Sequence, residues 1–139
     1  MKQAIIAALS KRFNSYNDLA RSIEAHQLGE KLDAPRHKSL LEHLWCVVGA
    51  RESYARALKH GSWDGFACSM SEYTHDEVIA KLESSAKAVM EAVDEVADWN
   101  EEREQLLIEL SEHEVMHEGG IIRHMYAFEL EIPASVRWA

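Results

Sequence analysis

Residues 100–130, NEEREQLLIELSEHEVMHEGGIIRHMYAFEL, carry the reading of the fold. Asn100 is a strong helix N-cap residue, and Glu101 and Glu102 behind it suit the positive end of a helix dipole. Taking His113 as zero and about 100° per residue, His117 falls at about 40° and His124 at about 20°. Leu106, Leu110, Gly120, Ile121 and Phe128 lie between about −20° and 80° on the same wheel. One apolar face therefore runs the length of a long helix to about Leu130, with Pro133 closing it, and three histidines share that face.

Working outward, the rest of the chain repeats the helical period. Ile5, Leu9, Phe13, Tyr16, Leu19 and Ile23 recur at three- and four-residue steps, which predicts a first helix to about Leu28 with Gly29 as its cap and Pro35 beyond. Ser39-Leu-Leu-Glu42 reads as a capping box for a second helix that stops at Gly61. Residues 61–73 have aromatic weight but no period, as expected of an ordered crossover. Thr74-His-Asp-Glu77 repeats the capping pattern before a third helix with Val78, Ile79, Leu82, Ala86, Val89, Met90 and Val93 inside. The expectation is an all-α four-helix bundle, one domain over residues 1–139, with a long crossover between helices two and three.

Composition narrows the function classes. Fifteen Lys and Arg against 24 Asp and Glu leave a formal charge of −9, which repels a phosphate backbone and argues against nucleic acid as a partner. No stretch approaches the ~20 apolar residues of a membrane span. Two cysteines, Cys46 and Cys68, in different elements, and no charged-then-apolar leader, point to a reducing, cytoplasmic setting.

The chemistry concentrates on His113 and His117. An i, i+4 pair sets two imidazoles one turn apart, pointing the same way, so both can reach one Zn²⁺ or Ni²⁺ at ~2 Å. His124 lies about 10.5 Å along the axis from His117, too far to complete the same shell. A facing helix must supply a third ligand, and helix two offers His43 and Cys46; periodicity favours His43. His113-Glu-Val-Met-His117 also matches the HExxH zinc-peptidase pattern, in which Glu114 would be general base, but no strand is present to hold a peptide and Glu114 reads as an exposed helix residue. Arg51 lies near the middle of an apolar arc, suited to a substrate carboxylate or, more simply, to an internal salt bridge with a glutamate. The bland alternative to a site is a set of core histidines in a non-catalytic bundle.

With these residues in hand, the chain resembles the DinB/YfiT-like superfamily of metal-dependent four-helix bundles. The resemblance rests on Phe-Asn-Ser-Tyr-Asn (13–17), His-Leu-Trp-Cys-Val-Val-Gly-Ala-Arg-Glu (43–52) and His-Glu-Val-Met-His-Glu-Gly-Gly-Ile-Ile (113–122). It implies a third histidine ligand on helix two, for Zn²⁺ or Ni²⁺; alignment of the Gly-Ala-Arg-Glu region places that ligand at Cys46, while the wheel places it at His43. It also implies a low-molecular-weight thiol or a water, activated for attack on a small electrophilic substrate, and a homodimer, for which Met116, Ile122 and Tyr126 on the second face of helix four offer apolar surface. The family run after the second histidine is similar to Arg-Gly-Gln-Ile, whereas Glu118 and Gly120 stand at the Arg and Gln positions here.

Overall fold

The computed structural model describes residues 1–136. Four helices make the bundle: α1 (Lys2–Ser22), α2 (Leu40–His60), α3 (His75–Glu95) and α4 (Glu101–Ala127), with short 3-10 turns at Ala25–Gln27 and Ala134–Val136. There is no strand among the described residues. No described helix is long and apolar enough to cross a membrane. The fold class is the one the periodicity predicts.

Local chemistry sets most of the helix ends. Ser39 accepts from the Glu42 N–H and the Glu42 side chain accepts from the Ser39 N–H, a complete capping box; Gly61 closes α2 at φ 89°, a left-handed conformation glycine adopts without strain. Asn100 accepts from the Arg103 N–H. Thr74 caps α3 through the Glu77 N–H, but the Glu77 carboxylate reaches past the cap to accept from the N–H groups of Ser71, Glu72 and Tyr73. The second half of that capping box is thus spent on tying down the end of the crossover.

Two helix boundaries differ from the sequence expectation. The first helix ends at Ser22, not near Gly29, because Ile23 turns extended and Glu24 and Gln27 form their own reciprocal cap around a 3-10 turn. Buried Ile23 and Leu28 pin that turn to the core. α4 ends at Ala127, and Glu129 at φ 55° turns the chain back so that Leu130 donates its N–H to the Met125 carbonyl.

The crossover of residues 61–74 runs back along α2. Gly65 accepts from Arg56, Ala67 exchanges bonds with the Ser53 hydroxyl, Ser69 binds Glu52, and the Cys68 thiol donates to the Trp45 carbonyl. α3 consequently starts beside the N-terminus of α2 and runs parallel to it, as the Lys59–Glu95 ion pair at their far ends records. α4 runs antiparallel to α2, with Arg103 bonded to the Leu58 carbonyl at one end and His43 meeting His117 near the other. α1 packs on α3 and α4, diagonally across from α2.

The core is divided. One apolar cluster gathers Tyr16, Leu19, Leu40, Leu44, Val78, Leu82, Ile121 and Met125, the other Leu9, Phe13, Leu58, Val89, Leu106 and Leu110. Between them lies a buried polar layer. Arg51 and Glu114, both 0% exposed, form a two-pronged pair, Nε to Oε1 at 2.7 Å and Nη2 to Oε2 at 2.8 Å, and Arg51 Nη1 reaches the Leu82 carbonyl. Arg12 pairs with Glu118, which also accepts from the Ser15 hydroxyl.

Candidate metal centre

α4 enters this polar layer with two consecutive His-Glu pairs, His113-Glu114 and His117-Glu118. Because α4 is flanked by α1 on one side and α2 on the other, its buried arc is wider than a single-face wheel predicts. The expectation that Glu114 is exposed is therefore corrected: Arg51 holds it inside, and Glu118 is held inside by Arg12. The internal-salt-bridge reading of Arg51 is the one found. A fully buried carboxylate with both oxygens engaged is out of reach of water, which argues against Glu114 as a peptidase general base.

The glutamates fix α4 while the histidines gather on its neighbouring face. His43 Nδ1 and His117 Nδ1 share a hydrogen bond at 2.9 Å, with ring centres 5.2 Å apart at 76°. His113 and His117 rings are 4.4 Å apart. His113 Nδ1 is buried without a hydrogen-bond partner. Gly120 makes the approach of α2 possible: a Cβ there would meet His43 Cε1 at 2.6 Å.

Burial keeps these rings neutral. It pushes His43 down to about 4 and His117 down to about 3, helped in both by neighbouring positive charge from Lys38. His113 is lowered by burial, then by Lys38 and Arg51. A neutral imidazole carries the lone pair that a metal requires.

Two imidazoles bound to one ion at 2.0–2.1 Å have ring centres roughly 4.5–5.5 Å apart, close to both separations found here. The rings are assembled, though their nitrogens are not yet turned to a common point: among the described residues no group of three or more His, Cys, Asp or Glu stands in a ready-made ligand arrangement. His43 and His117 face each other through one N–H···N bond, and an ion between them would need that proton carried on the Nε2 of its own ring, so that both Nδ1 lone pairs face inward. The donor set fits Zn²⁺ or Ni²⁺, both suited to imidazole.

Cys46 is half-buried, and its thiol accepts from Lys38 Nζ at 3.3 Å, the same ammonium whose charge acts on the three rings. Trp45 packs on Phe66 and, with Leu41 and Tyr73, lines an apolar depression of about 280 Å³; Trp63 packs on Tyr54.

No family model, curated protein or solved structure matches this chain.

The site is therefore read from its own residues. The sequence reading missed the partners of Glu118, Arg12 and Ser15, and it missed Lys38. The signal for Arg12 was present as a cation within an apolar helix face, as it was for Arg51. Lys38 precedes the α2 cap and carries no periodic signal.

Proposed function

We propose that His43, His113 and His117 hold one divalent transition-metal ion, zinc or nickel, and that the protein is a metal-dependent enzyme of the DinB type acting on a small electrophile. The observation that carries the reading is the meeting of three neutral imidazoles from two helices across Gly120, a glycine that makes room for the third ring. Such an ion, when bound, lowers the pKa of a low-molecular-weight thiol or a water and so supplies the nucleophile. The chain's own residues supply the rest. Arg51–Glu114 and Arg12–Glu118 fix the rotation of α4 about its axis, so that the two histidines of one turn face α2 together. Lys38 holds positive charge at the rim, where an anionic group of a substrate would approach, and engages the Cys46 thiol.

A cytoplasmic, homodimeric enzyme completes the proposal. Met116 and Tyr126 are 63% and 65% exposed on one side of α4, with Val115 beside them, as surface for a second copy.

Elemental analysis of untagged protein purified without chelator tests the reading. About one ion per chain is expected, lost in His43→Ala, His113→Ala and His117→Ala and retained in Cys46→Ala. Loss in Cys46→Ala with retention in His43→Ala would move the third ligand to the cysteine. No metal above the variants' background, even after zinc or nickel is added back, would leave the second reading, a non-catalytic bundle whose His43–His117 bond is an end in itself. With metal established, a thiol-conjugation assay against small electrophiles separates transferase from hydrolase.

A further inference from the structure

Cys46 takes no part in holding the ion proposed above, yet its thiol is in direct contact with an amine. Lys38 Nζ lies 3.3 Å from Cys46 Sγ; the cysteine is half-buried and the lysine exposed, so small molecules in solution can reach the pair. Lys31, Lys59 and Lys87 each sit on a carboxylate. Lys38 does not. Glu42, in the first turn of α2, is already engaged by Lys31 and by the Ser39 N–H, and among the described residues the partner of the Lys38 ammonium is sulfur. The other cysteine gives the contrast: the Cys68 thiol donates to the Trp45 carbonyl, and burial pushes it up, away from the reactive thiolate form.

We propose that Cys46 and Lys38 form an oxidant-sensitive modification site, at which a peroxide joins the two side chains through a covalent Sγ–Nζ bond. Thiolate is the form that peroxides attack, and an ammonium in contact is the counter-ion that form calls for. In the first step sulfur takes one peroxide oxygen: two electrons pass from sulfur into the breaking O–O bond, Cys46 becomes a sulfenic acid, and water leaves. In the second, the Lys38 ammonium gives one proton to solvent, and its nitrogen lone pair displaces hydroxide from sulfur. The hydroxide takes a second nitrogen proton and leaves as water, so no further oxidant is needed. A small thiol reverses the change by opening the S–N bond to amine and mixed disulfide, from which a second thiol frees Cys46. Lys38 belongs to the connection before the Ser39 cap and not to α2, so its stem can follow the sulfur as the bond forms. The bond ties that connection to the second turn of α2 and replaces an ammonium, whose charge acts on all three rings, by an uncharged nitrogen. The chemistry uses no metal and stands independently of the three-histidine site.

Intact-mass spectrometry of the full chain after brief exposure to hydrogen peroxide, with chelator present and small thiols removed, decides it. Wild type should lose about 2 Da, the mass of two hydrogen atoms, and regain it with dithiothreitol. Trypsin should then no longer cut after Lys38, so that residues 37–51 leave as one lightened peptide. Cys68→Ser should behave as wild type. Lys38→Arg keeps the positive charge without a nucleophilic amine; it should skip that loss and go on to the sulfinic acid, about 32 Da heavier. Lys38 is exposed and precedes the helix cap, so this variant leaves the fold intact. A loss of mass that disappears in Cys68→Ser assigns the bond to a disulfide and overturns the pair. So does a loss that persists in Lys38→Arg, or a wild type that only gains oxygen or does not react.

Discussion

Gly120 lies against the ring of His43, and the space of one methyl group separates a histidine pair that meets from one that cannot: a Cβ at 120 would stand 2.6 Å from His43 Cε1. Gly119, one residue earlier, has nothing within 4 Å of the same hypothetical atom.

The two glycines should therefore respond in opposite ways to alanine. Gly119→Ala removes a flexible residue from an exposed helix interior and should stabilise the protein by about 1 kcal/mol in urea unfolding. Gly120→Ala has the same helical gain but pushes His43 away from His117, and zinc affinity measured by calorimetry should fall at least tenfold. Equal zinc affinity in the two variants would show that the His43 approach is irrelevant to binding.

The buried Arg51–Glu114 pair makes a second prediction. Breaking it from one side, as in Arg51→Met or Glu114→Gln, leaves a buried group uncompensated and should cost about 3–5 kcal/mol in denaturant unfolding. The double replacement Arg51→Met/Glu114→Leu should recover most of that loss, because no charge is then left alone. Additive losses in the double variant would mean that the two side chains act separately.

Acid should weaken the protein through its histidines, and the sign is fixed by burial. His43 and His117 have folded values of about 4 and about 3, below the ordinary 6.5, so the unfolded chain binds more protons between pH 6.5 and 4. Stability is fully present above pH 6.5 and falls as the pH drops through that window. In metal-free protein the C2–H resonances of both rings should still be those of neutral imidazole at pH 5.5. Midpoints near 6.5 would contradict the burial argument.

Glu77 anchors the end of the crossover by accepting from three successive backbone N–H groups, an arrangement that also holds its carboxyl below the usual range. In Glu77→Ala, hydrogen exchange at residues 71–73 should quicken while α3 keeps its protection through the Thr74 cap. Unchanged exchange at Ser71, Glu72 and Tyr73 would show that the loop is held by its other contacts.

The bundle was legible because three of its four helices declare themselves twice, by period and by an end signal: Ser39 with Glu42, Gly61, Thr74 and Asn100 all occupy the ends they predict. The end of α1 was not, since Gly29 is a plausible cap by composition and only tertiary burial of Ile23 and Leu28 explains the earlier stop. At the site, the His113–His117 spacing and the choice of His43 by periodicity both identify rings that the structure brings together. Glu114 was misread for a physical reason: a wheel assigns burial from one apolar face, whereas α4 is enclosed on two sides and takes arginines from both. A buried ion pair reads as polar on either strand of evidence until its partner, more than sixty residues away, is placed beside it.

The crossover has one further consequence. By returning the chain to the start of α2, it sets α2 and α3 to begin at the end of the bundle where α1 and α4 finish, so each end carries two helix N-termini and two C-termini and their macrodipoles offset one another. What remains is local. His43 occupies the first turn of α2, where burial, and then the charge of Lys38 just before the cap, disfavour a second proton on the ring. A cation arriving at pH 6 would meet rings that are already neutral and would displace one N–H···N bond, not an added proton, so its affinity should stay level with pH across the range in which protons begin to compete for ordinary histidine ligands.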